Sequence, residues 1–362
     1  MFRFPLRGMS EGGYVIKNKM LTIALLCLGA MLSLFSLEGV PLSVLSMLVG
    51  LVIVVLIGEP MVEGLNEFGV QTGLSPHVTG IISSLASNLP EAVMTGFMIL
   101  SPSLREVAIL TVMLASAFNG LLLGILVIML TYKGGAIELP KKAMELDIEI
   151  MRIAIALCTI VFGTGVILHL FSGDGAVFLP REIPIFLLLS YIGYLLFISR
   201  KPKEEAAEES GHEGSGWITP IALGLVGILI SAELISGSSE YLVHMLDLHV
   251  VIAATLIGMA GSIPEHGLAL IGANKGHVEM GVSNLLSGII QSIMLIFPLL
   301  ALLVPVQLDG YVLYQFMAIA VTLWIVKKSI IDDNRLTLDE GLSILTIHTL
   351  GILLFDELSL LI

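Results

Sequence analysis

Two glutamates stand deep in apolar sequence, each one residue after a proline. Glu91 ends Ser87-Asn88-Leu89-Pro90-Glu91, and Glu265 ends Gly261-Ser262-Ile263-Pro264-Glu265. An ionised carboxylate at the centre of a transmembrane helix costs about 2.5–3.5 kcal/mol or more, so it normally faces a cavity, a partner or an ion. The proline before it cannot donate a backbone hydrogen bond and frees a carbonyl one turn earlier. Small and polar neighbours let the backbone open: Ser83, Ser84, Ser87 and Asn88 in one copy, Gly258, Gly261 and Ser262 in the other. Carboxylate, amide, hydroxyl and freed carbonyl oxygens would then converge. That is the hard-oxygen set calcium takes, with about six to eight ligands at about 2.3–2.6 Å. A plain hydrogen bond between helices would explain one such glutamate, but it leaves the duplication unexplained.

Each motif is followed by an amide in the next apolar run, Asn119 in Ala115-Ser-Ala-Phe-Asn119 and Gln291 in Ser287-Gly-Ile-Ile-Gln291. The stretches from Glu91 to Asn119 and from Glu265 to Gln291 are nearly equal, and each leaves room for a turn and a return to mid-membrane. An amide there is either a ligand or interhelical glue worth about 0.6–2 kcal/mol. Upstream, Glu59 and Glu233 repeat the pattern, separated by the same offset as Glu91 and Glu265. Two readings of that pair stand side by side, a proton-accessible route and a brace for the broken helices. His266 directly follows Glu265. It could relay protons, since histidine titrates near neutrality, or bond to a neighbouring helix. His169, alone on an apolar helix, reads as packing.

The elements that must hold these residues are membrane helices. The chain is 56% hydrophobic and 13% charged, with a mean hydropathy of +1.00; soluble domains carry about 25% charge. The apolar runs are continuous, which excludes the period-two alternation of a membrane β-barrel. The segment before Met20 carries Arg3, Arg7, Lys17 and Lys19 ahead of an apolar run. That run is long for a secretory signal and lacks a small-residue cleavage pattern, so it reads as a retained first helix. Cys27 and Cys158 both lie in apolar runs and read as small core residues.

The expected architecture is an all-α integral membrane protein of about eleven spans. These run near 20–37, 43–66, 78–100, 105–131, 149–171, 182–199, 217–239, 248–273, 277–304, 310–327 and 341–361. With the N-terminus inside, fifteen Lys and Arg fall on inner segments and only Arg105 and Arg181 on outer ones, as the positive-inside rule requires. Setting the first helix aside leaves two groups of five around the segment 200–216. Five is odd, so the second group enters from the opposite side, the inverted repeat of many secondary transporters. Residues 51–91 align to 225–265 without a gap, pairing Glu59 with Glu233, Pro90 with Pro264 and Glu91 with Glu265. The chain thus divides into residues 1–42 (N-terminal segment and extra helix), 43–199 (first repeat), 200–216 (acidic linker) and 217–362 (second repeat). The linker reads as a solvated cytoplasmic connection, without a calcium-binding loop pattern.

These motifs carry a family resemblance. Gly261-Ser-Ile-Pro-Glu265-His266 with Gln291-Ser-Ile-Met294 and Pro298, and Asn88-Leu-Pro-Glu91 with Asn119, resemble the two repeat motifs of cation/proton exchangers. That family belongs to the calcium/cation antiporter superfamily. The resemblance covers nearly the whole chain and implies that Glu91 and Glu265 are the central cation-binding acids. Asn119 and Gln291 would be the flanking amides, with Asn88 and Ser262 beside the acids. The Glu265-His266 pair and Gln291 resemble the proton-coupled branch, whereas Leu-Pro-Glu resembles the sodium-coupled branch. The family usually has Gly-Asn where this chain has Ser87-Asn88 and Gly261-Ser262.

The expected function is exchange of calcium for protons by alternating access, without a cofactor; the alternative is sodium/calcium exchange on the same fold. Calcium, protons and the lipid bilayer are the expected partners, with no role for nucleic acid. The first two helices of each repeat would slide against the rest. A channel fits an inverted pair of broken sites less well. A metal-dependent membrane enzyme would want a pattern such as His-Glu-x-x-His, which the chain lacks. The expected location is a prokaryotic plasma membrane with the N-terminus cytoplasmic, or else a vacuolar membrane.

Overall fold

The computed structural model describes residues 11–34, 39–72, 85–139, 141, 144–172, 175–199, 216–246, 250–262, 266, 269–270, 273 and 278–360. Helix α1 covers Glu11–Leu34 and α2 Val40–Gln71, with Pro60 inside α2. Leu89–Leu100 forms α3, and a short 3-10 turn at Pro102–Leu104 leads into α4, Arg105–Gly134. Strand β1 (Ala136–Glu138) precedes α5 (Glu145–Ser172) and α6 (Glu182–Ser199). The second half opens with α7 (Ile218–Leu246) and α8 (Val250–Gly261). It continues with α9 (Val278–Gln291), a π turn at Ser292–Ile296 and α10 (Phe297–Leu303). Helix α11 (Gly310–Asp332), strand β2 (Arg335–Thr337), α12 (Leu338–Leu353) and α13 (Phe355–Leu360) complete it. Among the described residues, six helices are long and apolar enough to cross a membrane, and four shorter apolar helices accompany them. Lipid offers no hydrogen bonds, so a spanning chain must satisfy its backbone internally, and helices do so.

The two halves run antiparallel. Gln71, at the end of α2, accepts a 2.9 Å bond from Trp217 Nε1, just before α7, and Phe68 packs edge-on against the same indole. At the other ends, Ser101 and Ser103, which follow α3, donate to Glu240 of α7 at 2.6 and 3.1 Å. The first helix of each repeat therefore pairs in opposite directions with its counterpart, as inverted topology demands.

Two backbone cross-ties mark the opposite faces. Strands β1 and β2 pair antiparallel, Ile137 opposite Leu336; this face carries Lys133, Lys141 and Arg335 and is the basic face. On the other face Leu179 N–H donates to Val306 and Leu308 N–H to Val177, at 2.8 and 2.9 Å. The inverted symmetry exchanges the two ties. Three-residue strands carry no periodicity signal, and they add a small β component to the expected all-α fold.

Apolar packing separates the helices into two groups. Leu26, Ile53, Ile57, Met61, Ile228 and Leu234 join α1, α2 and α7 in a small cluster. The large cluster holds α4, α5 and α9 to α12, and it also takes Met94, Met98 and Ile257 from α3 and α8. The division is not sharp: Val54 of α2 and Ala232 and Ile235 of α7 also join the large cluster, and Leu89 and Val93 of α3 pack against the small one. Helix α4 meets α12 closely, since a Cβ on Gly124 would stand 2.7 Å from Leu345 N and one on Gly120 would collide with the His348 ring. Both cysteines are free thiols; Cys158 is buried as expected, whereas Cys27 is exposed on α1 and is not a core residue.

Candidate functional site

The proline break forms where the first motif lies. Residues 85–87 are helical, Asn88 makes a turn, and α3 restarts at Leu89 with Pro90 in its first turn. Glu91 follows in that turn with no exposed surface, and its backbone carbonyl accepts a 2.7 Å bond from Thr95 Oγ1. The carboxylate accepts from Ser292 Oγ, which lies 3.1 Å from each of its oxygens. One turn back, Asn88 Nδ2 donates to Gln291 Oε1 at 2.8 Å, and Gln291 Nε2 donates to Ser287 Oγ at 2.9 Å. Tyr191 of α6 reaches the same glutamine with its hydroxyl. The acid motif of the first repeat is thus bound directly to the amide helix of the second.

The end of α8, where the second motif begins, lies against the first motif. A Cβ on Gly261 would meet Met94 Cε at 3.1 Å and Glu91 Cβ at 3.5 Å, so the end of α8 lies against the glutamate. Ser262 is buried and turns its hydroxyl to the Gly258 carbonyl at 2.8 Å. Asn119 is fully buried on α4, one turn beyond Ser116, whose buried Oγ has no partner. Glu265 lies outside the described residues, as do Pro264, Ser83, Ser84 and residues 200–215 of the linker.

Helix α9 does not run straight through the site. Phe297 N–H bonds to Ser292 O, five residues back, as the π turn opens. Pro298 explains it: lacking an N–H, proline cannot bond the carbonyl four residues earlier, and the ladder shifts by one. The shift falls directly after Gln291 and begins at Ser292, the two residues that face α3. Sequence reading found Gln291 but missed Ser292 and Tyr191. The signal for Ser292 was Pro298 six residues on; Tyr191 looked like an ordinary membrane aromatic.

The remaining candidates are placed differently. Glu59 stands in α2 beside Pro60, and its side chain lies outside the described residues. Glu233 is exposed, on the stripe of α7 that carries Leu225, Val226 and Leu229. His266 is half-buried; its backbone N–H bonds to Ser262 O at 3.0 Å, and its Nε2 is buried without a partner. His169, expected only to pack, donates from Nε2 to the Leu308 carbonyl at 2.5 Å beside the cross-tie. Among the described residues no group of three or more His, Cys, Asp and Glu gathers.

This constellation lies within a segment that has known relatives. The profile of the sodium/calcium exchanger protein family matches residues 42–200 and 217–355. The chain belongs to that family. It is thereby a membrane transporter of the calcium/cation antiporter superfamily. The inner membrane protein YrbG of Escherichia coli (strain K12) is 24% identical over 278 residues, covering 73% of this chain and 80% of the relative. Among solved structures, the H+/Ca2+ exchanger CAX is similar with a TM-score of 0.69 at 16% identity, covering 95% of this chain and 93% of that one. Native YfkE gives 0.66 at 16% identity, with coverage of 93% and 98%. The sodium-calcium exchanger NCX_Mj gives 0.61 at 18%, with coverage of 87% and 99%. At these identities the likeness is one of fold, and it extends to exchangers of both coupling types.

Proposed function

We propose that this member of the family exchanges calcium for protons by alternating access, with Glu91 and Glu265 as the shared site. The carrying observation is Glu91, fully buried against the end of α8 at Gly261 and held by Ser292 of the opposite repeat. A buried carboxylate is tolerated when a cation or a proton neutralises it. Two carboxylates brought together repel, so protons and a divalent cation contend for the same oxygens. Calcium on the ionised pair leaves the site neutral, and so do two protons. Either neutral form can reorient, whereas the empty charged form meets a desolvation penalty that favours exchange over leak. Asn88, Asn119, Gln291 and Ser262 would supply neutral oxygens to the cation, with Glu59, Glu233 and His266 on the proton route.

The charge bias of the loops supports a cytoplasmic basic face and N-terminus in a prokaryotic plasma membrane, and the units 1–42, 43–199, 200–216 and 217–362. A second reading, sodium/calcium exchange, draws support from Pro90 before Glu91 and from the fold shared with NCX_Mj. The deciding experiment is calcium flux into sodium-free proteoliposomes with an acidic lumen and a luminal pH dye. Calcium entry matched by luminal alkalinisation, indifferent to added sodium, supports the proton reading. Flux that appears only with a sodium gradient replaces it with the second.

A further inference from the structure

Helix α9 carries a polar row that leads away from the residues around Glu91. Gln291, Ser287 and Ser283 follow one another at four-residue steps, the spacing of a single ridge on a helix. Gln291 donates to Ser287 Oγ at 2.9 Å, one turn nearer the start of α9. One turn further, Ser283 Oγ donates to Asp147 of α5 and stands 3.1 and 2.9 Å from its two oxygens. At about 1.5 Å per residue, Ser283 lies about 12 Å along the axis from Gln291. Asp147 belongs to the first turn of α5, shortly after strand β1, so this end of the row is at the basic face.

The row is accessible where the rest of α9 is not. Val282, Leu285, Leu286 and Ile289 have no exposed surface, whereas Ser283, Ser287 and Asp147 are half-buried. Helix α6 forms a second wall. Tyr191 reaches Gln291 at the inner end, and Tyr194 donates to the Leu146 carbonyl at 2.9 Å at the outer one. The counterpart row on α4 is closed. Thr111, Ala115 and Asn119 take the equivalent steps with no exposed surface, and a Cβ on Gly258 of α8 would stand 2.9 Å from the Thr111 carbonyl.

Asp147 does more than tie two helices together. It lies within a candidate membrane span, Glu145–Phe171. A neutral amide or hydroxyl would bond to Ser283 there without the cost of a charge. The N-terminal end of α5 eases that cost, but it does not explain why the carboxylate turns to α9. An ionised carboxylate offers about four lone-pair sites, and Ser283 has one proton for them. Among the described residues no other side chain bonds to Asp147 and no cation pairs with it. Carboxylate and hydroxyl oxygens on an accessible path are donors that calcium takes while it keeps part of its water shell.

We propose that Asp147 and Ser283 form an outer cation site, which takes calcium from the basic face and passes it along Ser287 to Gln291 and Glu91. It rests on calcium as the cargo and Glu91 as the inner acid, and it holds with either counter-ion. Inside a rim that carries Lys133, Lys141 and Arg335, the carboxylate raises the local concentration of the cation at the mouth of the path. Few protein oxygens meet the ion there, so water completes its shell and the ion leaves readily for the inner site.

The test uses terbium, which replaces calcium and luminesces when a nearby tyrosine is excited, on the purified full chain. With Glu91 and Glu265 both changed to glutamine, the protein should still bind terbium, and calcium should displace it. Adding Asp147→Asn should abolish that signal at unchanged Tm, because the new amide oxygen still accepts from Ser283. In proteoliposomes, Asp147→Asn alone should raise half-saturating calcium several-fold. A protein without the two inner glutamates that binds no terbium, or binds it equally after Asp147→Asn, would overturn the outer site. Unchanged half-saturation would overturn the passage inward. If Asp147→Asn lowers Tm, Ser283→Ala decides: several-fold weaker terbium binding at normal Tm supports the site, and unchanged binding overturns it. Wild type that transports no calcium fails the exchange reading and the passage to Glu91 with it, whereas the terbium comparison reads the outer site alone.

Discussion

Replacing Ser292 by alanine removes one oxygen from the centre of the proposed site. Ser292 Oγ stands 3.1 Å from both Glu91 oxygens, but a hydroxyl has one proton, so the two distances describe a single shared bond. Bonds to charged acceptors contribute about 1.5–3 kcal/mol. This one is longer than the roughly 2.5–2.7 Å of a tight O–H···O⁻ contact, which places it at the low end. About 1.5 kcal/mol corresponds to about tenfold in affinity. Alanine is the better helix former by a few tenths of a kcal/mol, and the void is a single oxygen, so Tm should move little. We expect half-saturating calcium for uptake, and the Kd from calorimetry at the same pH, both to rise about tenfold in Ser292→Ala. Ser292→Thr keeps the hydroxyl and should recover most of the loss. A half-saturation in Ser292→Ala within twofold of wild type, in protein of normal Tm, would refute a role for this bond in holding the ionised carboxylate.

Glu91→Gln and Glu265→Gln should each abolish exchange while leaving monodisperse, folded protein; substantial calcium flux from either would sink the shared-carboxylate mechanism. Gln291→Ala removes the bond Gln291 accepts from Asn88 Nδ2 and the one it donates to Ser287 Oγ. At about 0.5–1.5 kcal/mol for each bond lost, Tm should fall by a few degrees and calcium affinity with it; a thermal shift within error would show that the amide pair contributes nothing. Deleting residues 203–214 should leave the proteoliposome exchange rate within about twofold, and its loss in a normally folded protein would assign the acidic linker a direct part in transport.

The site was legible in sequence where it is made of polar side chains that lipid cannot tolerate without cause. Asn88, Glu91 and Gln291 stood out for that reason, and the structure binds Asn88 to Gln291 and places Glu91 beside them. Ser292 was not legible, because a serine in a membrane helix is commonplace and its aim depends on the π turn that Pro298 imposes. The repeat offset paired Glu59 with Glu233, but an offset carries no azimuth. Which way Glu233 points is set by α7 packing through Ile228 and Leu234 against α1 and α2, which leaves the glutamate on the exposed stripe. The inverted architecture was readable from charge bias and parity. The two cross-ties were not, because each is too short to write a pattern.

Those cross-ties have a mechanical consequence. One clamps the α4–α5 connection to the α11–α12 connection, and the other clamps α5–α6 to α10–α11. A scaffold hooped at both rims resists shear, so strain from ion binding has to be relieved elsewhere. Neither tie touches α2 or α7, which share a second apolar cluster with α1. Hydrogen exchange should therefore resolve two cooperative units, with the hooped helices opening only near the global free energy and α2 and α7 opening below it. If hydrogen exchange resolves those two units, α2 and α7 would act less like a hinge than like a piston in a rigid sleeve, with Glu91 on the sleeve wall.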